Sequence, residues 1–249
     1  MSDDKKLTVL GHLGELRSRL IKCVIAVAIT SLISFIFAKQ IFDILILPAG
    51  EIDLIYIEMT EMIGTYMRVS LASGIILAMP YLIYQLLMFI SPALTRREKR
   101  YVYLILPWVT LMFVGGVAFS YFILIPPATK FLITFGSDIA TPQIKIGNYI
   151  SIVTRLLVAI GLVFELPVLT TFLARIGVIT PKWLAKKRKL AIIFAFILAA
   201  IITPTFDPIN QSLVAIPLII LYEMSIWLAK LVHRGKKEES LAPATPEGK

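Results

Sequence analysis

Cysteine and histidine are nearly absent: the 249 residues hold one cysteine, Cys23, and two histidines, His12 and His233. A lone thiol closes no intrachain disulfide and builds no Cys-based metal site, and two histidines so far apart in sequence argue against a zinc centre. No P-loop, nucleophile elbow, metal-ligand cluster or dinucleotide fingerprint occurs in the chain, so nothing points to ATP hydrolysis, covalent catalysis, a cofactor or an enzyme at all. Charge is scarce too. Only 16% of residues are Asp, Glu, Lys or Arg, against 58% hydrophobic, which leaves too little polar surface to cover a soluble globule of this size. The net charge of +9 does not mark a nucleic-acid binder, because the basic residues lie in short connections between apolar blocks.

What the chain has in abundance is apolar blocks of bilayer-spanning length. Six occur: 20–38, 69–90, 101–125, 150–173, 190–202 and 213–231. They define an all-α, polytopic membrane protein with one integral domain, 1–233, and a polar tail, 234–249, whose composition predicts disorder. The first block follows a basic stretch as a secretory signal would, but it is too long and lacks a small-x-small cleavage pattern, so it reads as a retained span. The fifth block is short. Its thirteen residues rise to about 20 Å of helix against a hydrocarbon core of about 30 Å, so it either crosses a thinned membrane or forms a re-entrant hairpin with the sixth.

Alternate connections differ sharply in basic residues. Twenty lysines and arginines lie on one side, and only Lys39, Lys130 and Lys145 on the other, with Arg68 and Arg155 near the outer ends of spans two and four. The positive-inside rule then puts both termini in the cytoplasm. The two outer connections, 39–68 and 126–149, are rich in apolar residues and read as structured caps rather than free linkers. Pro80, Pro107, Pro167 and Pro217 fall inside spans and predict bent helices around a concavity.

Within this apolar frame, polar residues are the candidates for function. Glu165 lies about eight residues, roughly 12 Å, from the cytoplasmic end of span four, too deep for so short a side chain to snorkel. Arg155 is not its partner, being roughly 15 Å along the helix and about 80° around it; Arg155 and Arg68 read as snorkelling to the interface. Gln85, Gln211 and Glu223 are weaker intramembrane polar positions that could bond across helices and line a polar patch with Glu165. Glu15 and Glu98 look local by their spacing alone: Glu15 can pair with Arg19 four residues on, and Glu98 is surrounded by Arg96, Arg97, Lys99 and Arg100.

Several motifs then occur together and in order: His12 to Arg19 before span one, Pro80 with Tyr84-Gln85, Phe89 to Leu94 followed by Glu98, Phe164-Glu165-Leu166-Pro167, and Thr203-Pro204 with Asp207 and Gln211. In this order and topology the chain resembles the TatC family, the multispanning subunit of the twin-arginine protein translocase, over nearly its whole length. The resemblance implies a concave bundle of six transmembrane helices with short fifth and sixth helices, in the cell's inner membrane. It implies a receptor for twin-arginine signal peptides of folded cargo, with Glu15 and Glu98 as the carboxylates that meet the paired arginines and Leu16, Arg17 and Phe89 nearby. A guanidinium suits such a site because it is planar, permanently charged and pairs bidentately with a carboxylate. It further implies a hetero-oligomer with single-span TatA/TatB-type subunits, contact of Glu165 with those partners or with the signal, and export driven by the proton-motive force. Pro48, Pro92 and Asp207 are carried over as structural or loop positions, although the Thr205-Phe206 spacing before Asp207 departs from the family pattern. The basic neighbours of Glu98 are placed to hold that loop against anionic membrane lipid. A small secondary transporter coupled through Glu165 is the alternative, which the lack of repeated halves disfavours.

Overall fold

The computed structural model describes residues 2–50, 54–90, 96–135, 139, 142–203 and 207–241, with side chains for 11–50, 54–89, 105–135, 139, 142–203 and 207–232. Helices dominate: α1 (Ser2–Ile36), α2 (Ala38–Ile46), α3 (Glu61–Ile90), α4 (Arg96–Phe119), α5 (Ile125–Thr134), α6 (Ile146–Phe164), α7 (Leu166–Arg175), α8 (Pro181–Lys186), α9 (Arg188–Ile202) and α10 (Pro208–Leu241). Among the described residues five stretches are long and apolar enough to cross a membrane: Gly11–Ile36, Glu61–Phe89, Ile105–Thr134, Ile146–Arg175 and Pro208–Val232. The third is built from α4 and α5 joined through a π turn, Ser120–Leu124, and the fourth from α6 and α7 joined at Glu165. With α9, whose 15 residues keep it short, these make up the six expected segments.

The bundle is organised around α6. This helix is apolar on nearly every side, and Tyr149, Ile150, Val153, Leu156, Leu157 and Ile160 are buried against residues of α2, α3, α9 and α10, as expected of a helix with no polar stripe. Helices can approach closely where a side chain is missing. At Gly74 of α3, the α1 hydroxyl of Thr30 donates to the Gly74 carbonyl at 2.8 Å, and a Cβ there would lie only 2.7 Å from the Cα of Ser31. At Gly116 of α4, a Cβ would lie 2.8 Å from the Phe164 Cβ and 3.0 Å from the Gly161 Cα. Small residues at such crossings let two backbones pack in lipid, where apolar surface alone gives no preference for protein over solvent.

The two connections expected to cap the bundle are indeed ordered where described. A parallel bridge joins them, with Ile55 N–H donating to Ile144 O at 3.0 Å and Ile146 N–H to Ile55 O at 2.9 Å. Glu61 accepts from the backbone N–H groups of Ile57 and Gly147 at 3.0 and 3.2 Å, so one carboxylate ties both connections to the start of α3. The hydroxyls of Tyr121 and Tyr149 donate to the Ile44 and Leu45 carbonyls at 2.7 and 2.9 Å. Arg68, expected simply to snorkel, donates to the Gly147 carbonyl at 3.1 Å.

Several boundaries differ from the expected ones, and the third span runs on through α5 to Thr134 where the second outer connection was expected to begin at 126. Span two begins at Glu61 rather than near residue 69, because the polar turn before the apolar block is helical and its Glu61 is bonded into the cap. The final helix is long rather than short: α10 has 34 residues and continues through Lys236 to Glu239 as far as Leu241, since Lys and Glu are good helix formers. Part of the expected polar tail is therefore helical, and residues 242–249 lie outside the described residues.

Candidate functional sites

The end of the bundle opposite the cap carries the first site. There α1 packs on the last turns of α3, bringing the start of the apolar part of α1 to Gln85 and Phe89. Arg19 donates from Nε and Nη2 to Oε1 of Glu15 at 2.9 and 2.6 Å, and from Nη1 to Oε1 of Gln85 at 3.1 Å. One guanidinium thus bridges two helices. The i,i+4 pairing foreseen from spacing is present, while its extension to Gln85, 66 residues away in sequence, has no local signal. Gln85 is buried at 5% exposure, whereas the side chains of Arg19 and Glu15 keep 20% and 30%. The carboxylate is therefore held in place from one side and open on the other. His12 stacks on Phe89 with ring centroids 4.4 Å apart, a second tie between the same two helices. Leu16 and Arg17 are exposed on the same stretch of α1, as is Leu13. Glu98 belongs to the first turn of α4; its side chain lies outside the described residues, as does Pro92 altogether.

Glu165 makes the second site. It sits where α6 passes into α7, at φ −74° and ψ −19°, with Pro167 two residues on supplying no N–H to the helical ladder. Its own N–H reaches Leu162 O at 3.1 Å, a tightened turn, and its carbonyl accepts from Leu169 N–H at 2.9 Å. The side chain is 2% exposed, and among the described residues neither carboxyl oxygen has a hydrogen-bond partner. Helical spacing puts it on the face shared with Gly161, Val168 and Phe172. That face meets Phe113 and Val117 of α4 and a cluster including Met79, Ile83 and Leu87 of α3. Glu165 is thus enclosed by apolar side chains, not set in the wall of an open concavity.

The expected polar patch does not assemble, because each of its other members has a partner elsewhere. Gln85 holds Arg19. Gln211 donates through Nε2 to the Phe196 carbonyl at 2.9 Å, joining α10 to α9. Glu223 forms a forked pair with Arg188, 2.7 Å from Nε and 2.9 Å from Nη2, which places it level with the basic start of α9 instead of mid-membrane. Neither pairing was visible in the sequence, since both span separate helices. The structural positions are clearer. Asp207 caps α10: its Oδ1 accepts from Asn210 N–H at 2.7 Å and its Oδ2 from the Asn210 amide at 3.1 Å, with Pro208 opening the helix. Pro48 lies in a single 3-10 turn, Leu47–Ala49, that ends at Gly50 with φ 74°, a conformation glycine adopts without strain.

Comparison with known proteins places this arrangement. The family model described as Sec-independent protein translocase protein (TatC) matches residues 11–217. The chain belongs to the TatC family. It is 46% identical over 233 residues to the Sec-independent protein translocase protein TatC of Aquifex aeolicus, covering 91% of this chain and 96% of that one. It is 40% identical over 232 residues to the TatC of Carboxydothermus hydrogenoformans, covering 92% and 96%. A solved structure described as the twin arginine translocase receptor TatC superposes with a TM-score of 0.81 at 45% identity, over 89% of this chain and 99% of that one. The chain is accordingly a multi-pass membrane protein and a component of the twin-arginine, Sec-independent protein translocation system, a transport protein by class. The reading of a small secondary transporter finds no support among these TatC relatives.

Proposed function

We propose that this chain is the receptor of a twin-arginine translocase in the cell's inner membrane, with both termini in the cytoplasm. It binds twin-arginine signal peptides of folded cargo at its cytoplasmic face and gathers single-span TatA/TatB-type subunits for export driven by the proton-motive force. The observation that carries the reading is the Glu15 carboxylate: 30% exposed, on α1, and already paired with a guanidinium. A carboxylate that already accepts two N–H bonds from one guanidinium suits the planar, five-donor geometry that distinguishes arginine from lysine. Exposed Leu13 and Leu16 and the half-buried Phe89 give the peptide's apolar neighbours a surface beside that carboxylate. Glu98, at the start of α4, is the second carboxylate of the pair in this reading, and Arg17 sits on the exposed side of α1.

Deeper in the membrane, Glu165 is the point where an intramembrane partner is sensed. An apolar groove of about 400 Å³, with Leu166, Trp183, Phe194, Leu218 and Tyr222 in its walls, opens beside the same helix and can take a few apolar side chains of a neighbouring membrane-spanning helix. Binding of fluorescent Arg-Arg and Lys-Lys signal peptides to the full chain in lipid nanodiscs tests the receptor reading. Preferential binding of the Arg-Arg peptide, lost in Glu15→Gln and Glu98→Gln, supports it; equal binding of both peptides refutes it.

A further inference from the structure

The Glu15 carboxylate is not vacant: Arg19 of the same helix already occupies it. Two of the three donors that Arg19 uses end on a single oxygen, Oε1 of Glu15, and the third is held by Gln85. Among the described residues nothing bonds to Oε2 of Glu15. An arriving guanidinium can engage both carboxylate oxygens only by loosening the resident one. We propose that Arg19 is a specificity-determining residue, a resident guanidinium that an incoming signal-peptide arginine must displace from Glu15. The inference rests on the reading that Glu15 receives such an arginine.

The chemistry of the exchange favours arginine over lysine. An incoming guanidinium can replace the two charge-assisted bonds that Arg19 gives Glu15 with two of its own, so the exchange is nearly balanced and the peptide's remaining contacts tip it. An ammonium is a point charge without the guanidinium's planar array of donors, so a lysine replaces the resident's bonds less well. The resident thus acts as an internal competitor against the wrong ligand, in the sense that specificity is a difference between affinities. Gln85 makes the displacement reversible. It is buried, it sits on α3, and it keeps hold of Nη1, so a displaced Arg19 stays tethered within reach of Glu15 instead of swinging into solvent. Two guanidiniums beside one carboxylate also repel each other, which keeps the bound peptide releasable.

The test compares Arg-Arg and Lys-Lys signal peptides on the full chain in nanodiscs, with Arg19→Gln, Arg19→Lys and Glu15→Gln. In Arg19→Gln the Arg-Arg peptide should bind about twofold to fivefold more tightly, the worth of a part-exposed pair. The Lys-Lys peptide should gain more, so that the ratio between the two falls. Arg19→Lys keeps the positive charge and loses the paired guanidinium donors; it should narrow the ratio in the same way, which a purely electrostatic effect of Arg19 would not do. If Arg19→Gln does not fold, Arg19→Lys alone decides the question. Weaker Arg-Arg binding in the Arg19 variants, or an unchanged ratio, overturns the inference while leaving the receptor reading in place. If Glu15→Gln leaves Arg-Arg binding untouched, the receptor role of Glu15 fails and the competitor role of Arg19 fails with it.

Discussion

Glu15 and Glu165 are both glutamates on helices of one membrane bundle, in opposite circumstances. Glu15 is at the rim, 30% exposed, with its charge answered by Arg19 and steadied through Gln85. Glu165 is 2% exposed, among phenylalanines and aliphatic side chains, with no partner for either oxygen among the described residues. The first arrangement stabilises the fold a little and leaves a face open to a ligand. The second costs the fold something, because an unpaired polar group in apolar surroundings has given up water for nothing. A buried carboxyl with no hydrogen-bond partner among the described residues points to a role other than stability.

That contrast is open to direct tests. The largest effect is expected at the interior site: Glu165→Lys forces a charge into the apolar cluster, costing about 3 kcal/mol or more, and thermal unfolding in nanodiscs should show a grossly destabilised or unfolded chain. Glu165→Leu should melt at the same temperature or higher, yet fail in an export assay; a lower melting temperature would mean that Glu165 is structurally satisfied after all. At the rim, Glu15→Ala should weaken binding of an Arg-Arg peptide by about 10-fold to 100-fold, the worth of charged hydrogen bonds, with little change in melting. Next comes Gly74→Ala, which crowds the α1 backbone at Ser31. It should destabilise by about 1–3 kcal/mol and weaken peptide binding indirectly, since α1 carries Glu15 onto α3. The smallest effect is expected from Glu223→Gln. Its pair with Arg188 is about half exposed, worth at most about 1 kcal/mol, and its loss should leave peptide binding unchanged. A large binding defect there would show that pairing with an arginine is not what sets Glu15 apart.

Much of this was legible in the residues. Apolar block lengths located the spans, the short fifth segment stood out, and the i,i+4 relation paired Glu15 with Arg19. The apolar content of the two cap connections marked them as ordered, and they are joined by the Ile55 and Lys145 bridge. What periodicity could not show is which helix lies against which. Gln85 with Arg19, Arg188 with Glu223, and Glu61 with Gly147 are each set by the packing of separate elements. Gln85, Gln211 and Glu223 do bond across helices, as expected of intramembrane polar residues, but they do not gather around Glu165, because polarity along a sequence does not give direction across a bundle. Nor does charge separate helix from disorder: the lysines and glutamates beyond Arg234 are compatible with both, and α10 continues through them to Leu241.

The length of α9 has a consequence for the lipid around it. Its 15 residues span about 22 Å, leaving roughly 8 Å of a hydrocarbon core about 30 Å thick unmatched. Acyl chains beside it must shorten or splay, and at fractions of a kcal/mol per Å the deformation stores on the order of a few kcal/mol in the bilayer. That strain is an elastic reservoir held by the solvent rather than by any bond in the protein. Any neighbour that shields α9 from lipid relaxes it, so this edge of the bundle attracts company through membrane mechanics before a single side chain has made contact.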